Sequence, residues 1–306
     1  MSKIGYTPEH PLLFDGAMGT LFAALPGRVG ERCEEASLTH PGEISAIHRA
    51  YLEAGARAIK TNTFGLGAEL AQGNEALAGE LIAAASRLAL EAAAPYGALV
   101  FADLGPVPQD RQEDTGKLYI RLAEHFLKAG VTLFLVETLS SDDGVPELAA
   151  WLEEHCPDAF LIASFAVGAD GFTREGLPGR ELLARTAALP GVDGVGFNCM
   201  SGPHHLLSLV RGLELEGTML SVMPNAGYPT VLGRRTAYQG TPDYFAQQMA
   251  QILRAGAAIV GGCCGTTPEH IARLARLLRE EPAAPAAVVS GPVQAPVRAP
   301  AGTDRL

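Results

Sequence analysis

The sequence predicts an α/β chain folded as a (β/α)8 TIM barrel, with its active site at the C-terminal face. Three observations carry this. Eight short apolar runs alternate with longer segments of helical periodicity. Most of the runs are continuously apolar and β-rich, as strands covered on both faces are. A local shape recurs in "EAGARAIK" (53–60), "KAGVTLFL" (128–135) and "RAGAAIVG" (254–261): a helix end, Ala-Gly, a short gap, then an apolar strand. A doubly wound open sheet is the rival, and it accounts less well for eight regular repeats.

The elements follow in order. Strand runs are read at 12–15, 57–63, 99–104, 133–138, 160–167, 194–199, 219–225 and 258–263. Segments such as "GEISAIHRAYLEAG" and "TPDYFAQQMAQILRAG" place apolar residues three and four apart, as a helix packed on a sheet requires. Gly55, Gly130 and Gly256 read as residues just past a helix end, where the left-handed conformation costs glycine little. The helix-to-strand turns are therefore short. Connections at 16–42, 105–116 and 226–241 are long, and in a barrel they lie on the face where sites are built. The barrel is assigned to residues 1–281. Residues 282–306 are dominated by Pro and Ala and read as a linker or disordered tail, so the chain is expected to be one module of a longer protein.

Composition narrows the function. The formal charge is −11 and there is no run of Lys or Arg, which argues against nucleic acid or an anionic membrane as partner. No apolar stretch approaches the roughly 20 residues needed to span a bilayer. The start "MSKIGYTPEH" lacks the regions of a signal peptide, so a cytoplasmic location is expected. Five cysteines in a reducing compartment argue against a disulfide framework.

On a barrel, Cys199 ends strand six in "GFNC", while Cys263 and Cys264 end strand eight in "GGCCGTT". Those strands flank strand seven, so the three thiols can meet at the C-terminal mouth. Zinc takes tetrahedral thiolate ligands, and catalytic sites leave a fourth position open. Neighbouring side chains of a regular strand face opposite ways, so Cys263 and Cys264 share a metal only if the backbone turns there. Gly261, Gly262 and Gly265 offer that freedom. Thr267 and Pro268 read as the cap and first residue of the next helix. Buried packing of each thiol and a redox pair are the alternatives. Cys33 falls in the first long loop and Cys156 at the back end of a helix. His204, His205 and His270 read as exposed first-turn residues rather than ligands.

The motifs "FDGAMGT" (14–20), "TNTFG" (61–65), "VETLSS" (136–141), "GFNC" (196–199), "MPNAG" (223–227) and "GGCCGTTPEHI" (261–271) resemble, in order, the homocysteine S-methyltransferase family. The resemblance spans about residues 10–280. It implies zinc on Cys199, Cys263 and Cys264, and L-homocysteine as the methyl acceptor. A thiol is mostly protonated near neutral pH, and zinc binding deprotonates it, so no general base is required. Asp15 and Glu137 would hold the substrate ammonium, and Gly16, Ala17 and Gly19 would offer amides to its carboxylate. Asn225 would contact substrate or act as a provisional fourth zinc ligand when substrate is absent. The plainer roles are a salt bridge or cap for the two carboxylates and a turn for the others. Asn198 would orient its loop, and Asn62 and Thr63 would line the mouth or brace the rim. Lys60 stands where the family usually carries an acidic residue.

The long segment after "MPNAG" is most similar to the homocysteine modules of cobalamin-dependent methionine synthases. That branch implies methylcobalamin carried by another domain as the donor, with cobalamin-binding and folate-binding domains as partners. A free-standing enzyme using S-methylmethionine or another sulfonium is the alternative. A non-catalytic zinc- or thiol-sensing barrel is the alternative of another class.

Overall fold

A computed structural model describes residues 3–108, 114–215, 217–232 and 235–280. The tail at 282–306 and part of the connection at 105–116 lie outside these. Ten strands are present among the described residues: β1 Leu12–Leu13, β2 Ala58–Lys60, β3 Leu99–Leu104, β4 Leu133–Leu139, β5 Phe160–Phe165, β6 Gly194–Asn198, β7 Met219–Met223, β8 Pro229–Leu232, β9 Arg235–Tyr238 and β10 Ile259–Val260. Eight form one parallel sheet in the order β1-β10-β7-β6-β5-β4-β3-β2. The ends meet through a parallel bridge between Phe14 and Ala58, backed by Asp15 N–H donating to the Ala58 carbonyl at 2.9 Å. The sheet is a closed (β/α)8 TIM barrel.

All eight strand runs read in the sequence are found, though β1 and β10 pair over two residues each. Gly55, Gly130 and Gly256 take φ of 108°, 83° and 100°, as the recurring Ala-Gly shape requires. The segment at 226–241, read as a plain loop, contains the antiparallel hairpin β8–β9, with Pro229 opposite Tyr238. Its parity was hidden because the segment is short and the "GRR" within it breaks any apolar alternation.

Strand parity divides the core. Leu12, Phe14, Ala58, Phe101, Leu135, Phe160, Ile162, Met223 and Ile259 fill the barrel interior. Phe14 and Phe101 pack ring to ring at 4.7 Å, and Phe101 meets Phe160 edge-on at 6.2 Å. The alternate residues pack outward against the helices. Below, Ile4 and Tyr6 pack against the interior cluster, and Lys3 Nζ donates to the Ala159 carbonyl at 2.9 Å. Above, the same parity carries Lys60, Asp103, Glu137 and Asn198 to the tops of β2, β3, β4 and β6. The barrel interior is thus apolar at the bottom and polar at the C-terminal mouth.

Gly196 sits on β6 between Ser164 of β5 and Ser221 of β7. A Cβ there would fall against the Ser221 carbonyl. Gly196→Ala is expected to lower the unfolding free energy by about 1–3 kcal/mol through overpacking, read from the urea midpoint. An unchanged midpoint would show that β6 and β7 can part freely.

Candidate functional site

The cysteine-bearing segment leaves β10 at Val260 and does not continue as a strand. Gly262 N–H donates to the Asp15 carbonyl at 3.0 Å and Cys263 N–H to Pro224 at 2.8 Å. The Cys263 carbonyl then accepts from both the backbone and the hydroxyl of Thr266, at 3.1 and 2.7 Å. This tight turn, not a strand, brings both thiols to one side. Of its glycines only Gly265 needs the left-handed region, at φ 78°. Gly261 and Gly262 serve a different need, because a Cβ on either would strike Phe14 or the Thr266 side chain. Across the mouth, Cys199 follows β6 at φ 54°, with Met200 at 49° and Thr138 at 61°. Non-glycine residues rarely adopt this region, and here three gather at one place.

The Sγ atoms of Cys199, Cys263 and Cys264 lie within 4.8 Å of one another, and Cys199 and Cys264 are 3.8 Å apart. Asn198, fully buried, joins this group to its surroundings. Its Oδ1 accepts the Thr138 N–H at 2.8 Å, and its Nδ2 faces Thr138 Oγ1 at 2.8 Å, Glu137 Oε2 at 3.2 Å and Cys263 Sγ at 3.9 Å. Hydrogen bonds from Cys199, Cys263 and Tyr238 pull the Cys264 thiol down to about 3 against its burial. Cys199, lowered by Cys263 but raised more by Cys264 and by burial, is carried up to about 12. The hydrogen bonds among the three thiols thus favour the thiolate form of Cys264, the form in which a cysteine binds a cation.

A cavity of about 670 Å³ opens onto the three thiols. Its wall includes Lys60, Asp103, Glu137, Cys33 and Arg174. Lys60 Nζ meets Asp15 Oδ1 at 2.5 Å, and the Lys60 backbone N–H reaches Asp15 Oδ2 at 3.0 Å. Burial opposes the Lys60 charge, but Asp15, Glu137 and Asp103 outweigh it and raise its pKa. Burial pushes Glu137 up to about 7 in spite of Lys60. Asp103 is raised for the same reason, with Glu137 adding to it. At the opposite end of the barrel, a cavity of about 590 Å³ is lined by Lys3 and Asp193, which pair with each other at 3.1 Å.

Several expectations change. Asp15 does not line the cavity; its carboxylate is taken by Lys60, so the salt-bridge reading describes it. The Ala17 N–H is not free for a substrate, since it donates to Thr266 Oγ1 at 3.1 Å. Gly16, Ala17 and Gly19 do line the wall, as does Glu137. Asn225 lies buried beside the cysteine turn, outside the cavity wall, and its Oδ1 has no hydrogen-bond partner. Its neighbour Ala226 donates to the Cys264 carbonyl at 3.0 Å. Asn62 both lines the wall and braces the rim, through bonds to the Cys33 carbonyl at 2.6 Å and Ser37 at 3.1 Å. Thr63 donates to the Asp103 carbonyl at 2.7 Å. His270 is buried, not exposed: Nδ1 accepts the Thr267 N–H at 3.2 Å, so Nε2 is the donor to the Gly240 carbonyl at 2.9 Å. It closes the first turn of the helix Pro268–Glu280 and anchors the hairpin end. His204 is exposed and His205 half-buried. Cys156 packs partly buried at the end of the helix Val145–His155, remote from the mouth.

Sequence reasoning passed over Asp103 and Tyr238. Asp103 was within reach, because Phe101 points inward and the period of two carries the residue two further on into the mouth. Tyr238 was not, because its place over Cys264 and Gly265 depends on the hairpin.

A family profile described as homocysteine S-methyltransferase matches residues 12–278. Methionine synthase of Mycobacterium tuberculosis is 33% identical over 299 residues, covering 87% of this chain and 24% of that protein. The Mycobacterium leprae methionine synthase is 31% identical with the same coverage. The chain thus spans about a quarter of these relatives. The metallated form of the homocysteine methyltransferase MmuM from Escherichia coli superposes with a TM-score of 0.70 at 26% identity, covering 87% of this chain and 96% of that one.

Removing one member of a buried ion pair leaves the other charge uncompensated. Lys60→Met is expected to cost about 3–5 kcal/mol of unfolding free energy. Asp15→Asn combined with Lys60→Met should recover most of the loss, and denaturant unfolding of the three proteins tests this. A double variant no more stable than Lys60→Met would show that the loss does not come from an uncompensated Asp15 charge.

Proposed function

We propose that this chain, which belongs to the homocysteine S-methyltransferase family, is a methyltransferase acting on the thiol of L-homocysteine, with methionine as product. The observation that carries the reading is the open set of three thiols facing the cavity at the barrel mouth.

The donor set suits zinc. A tetrahedral zinc with Zn–S bonds of about 2.3 Å holds its sulfurs about 3.8 Å apart, and Cys199 and Cys264 stand at 3.8 Å. Cys199, Cys263 and Cys264 would hold the ion, and bound zinc supplies the Lewis acidity that keeps a substrate thiol deprotonated at neutral pH. The residues of the chain do the rest. Asn198 faces Cys263 and fixes its direction, as partners behind metal ligands commonly do. The buried carboxylates of the wall provide for a cationic group, and the cavity leaves room above the thiols for a methyl donor to approach in line. The unpartnered Asn225 Oδ1 supports its reading as a provisional fourth ligand when substrate is absent.

For the donor we favour methylcobalamin presented by another domain, with a folate-binding domain as a further partner. The similarity to about a quarter of longer methionine synthases supports a module. Phe64, Phe172 and Tyr228 stand exposed on the connections after β2, β5 and β7, where a docking domain would cover them. A free-standing sulfonium-dependent enzyme is the second reading; the match to 96% of the MmuM homocysteine methyltransferase chain favours its free-standing part. A sensing barrel fits less well, because the thiols open onto a cavity. Five free cysteines agree with a cytoplasmic setting. No helix among the described residues is long and apolar enough to cross a membrane.

Cys→Ser at position 199, 263 or 264 is expected to reduce bound zinc far below that of the parent and to abolish homocysteine methylation. Metal analysis and a methionine assay read both. Full zinc in all three variants would sink the metal site. In a donor panel, turnover is expected with free methylcobalamin; turnover with S-methylmethionine alone would establish the second reading.

A further inference from the structure

The buried groups around the cavity include more carboxyl groups than cations, and Arg174 of the wall is exposed. Three carboxylates, Asp15, Asp103 and Glu137, are buried at the tops of β1, β3 and β4, and Lys60 is the buried cation among them. Lys60 is already committed. Its Nζ and its backbone N–H engage both oxygens of Asp15, and Asp15 does not line the cavity. That leaves Asp103 and Glu137. Both line the wall, and both residues are 6% exposed. Asp103 Oδ1 has no hydrogen-bond partner. Glu137 Oε2 has the Asn198 amide at 3.2 Å.

Register places the two together. Asp103 pairs with Leu135 across β3 and β4, so Glu137 is the next residue on the same face of the neighbouring strand. Two adjacent buried carboxylates repel each other, and neither is satisfied by a neutral surrounding. A primary ammonium offers three donors and one positive charge. It would satisfy the free oxygen of Asp103, share Glu137 and relieve the repulsion.

We propose that Asp103 and Glu137 form the ammonium subsite of this pocket, and that Lys60 withdraws Asp15 from that task. The proposal rests on the homocysteine reading above and names the residues that recognise its amino group. Lys60 acts as a built-in occupant of Asp15, and Asp103 supplies the carboxylate that the lysine removes.

The test is calorimetric, with the zinc-supplemented full chain. The ligands are L-homocysteine and its des-amino analogue γ-mercaptobutyrate, which keeps the thiol and the carboxylate. Asp103→Asn preserves shape and removes the charge. It is expected to weaken homocysteine binding about tenfold or more, the loss typical of one charge-assisted contact, while the analogue binds as it does to the parent. Unchanged homocysteine affinity, or an equal loss for both ligands, would overturn the subsite and leave the methyltransferase reading standing. If the parent binds neither thiol, the homocysteine reading fails and the subsite with it. Thermal unfolding without ligand separates binding from folding. Because Asp103 has no partner on Oδ1, Asp103→Asn should keep or raise the midpoint; a lowered midpoint would mark Asp103 as a structural residue and overturn the proposal.

Discussion

The β1–β2 seam closes the barrel, and one residue holds most of it. Phe14 and Ala58 make a single bridge there. Asp15 then donates its N–H to Ala58, accepts the Gly262 N–H on its carbonyl and receives Lys60 on both carboxylate oxygens. The seam, the start of the cysteine turn and the charge of the cavity wall thus converge on Asp15. Burying an ion pair is costly in itself, so such pairs are weak evidence of stability. Here the pair joins strands that share little backbone pairing, and it fixes which carboxylates face the cavity.

The fold was legible because it rests on repetition. Eight apolar runs, the recurring Ala-Gly before three of them and the long connections on one face imply a barrel with its site at the mouth. The three thiols were legible because adjacent cysteines among glycines stand out at the end of a strand run. What escaped depended on contacts between distant segments. No local signal says that Lys60 lies on Asp15, that Thr266 takes the Ala17 amide, or that His270 reaches Gly240. The hairpin β8–β9 escaped for a related reason, since each of its strands is only four residues long. Asp103 is different: inward parity from Phe101 marked it, but a carboxylate at a strand end reads as a cap unless the interior is traced as a whole.

The mouth of the barrel concentrates conditions that do not favour folding. Thr138, Cys199 and Met200 adopt left-handed backbone conformations, three buried carboxylates share one buried lysine, and Asp103 and Asn225 each leave an oxygen unpartnered. The apolar lower interior, with Phe14, Phe101 and Phe160 in contact, offsets them. Local departures from folding rules commonly collect where a ligand completes the structure. On the function proposed above, the mouth is a core that a cation on the thiols and a cation on the carboxylates would complete.

Asn198 gives those two places a fixed relation. The same amide nitrogen faces Cys263 on one side and Glu137 on the other, and its oxygen pins the backbone at Thr138. On the function proposed here, one side chain acts as a calliper between the jaw that grips sulfur and the jaw that grips nitrogen. A ligand is then measured by the carbon spacing between its thiol and its amine, and a chain one methylene shorter could close on one jaw at a time.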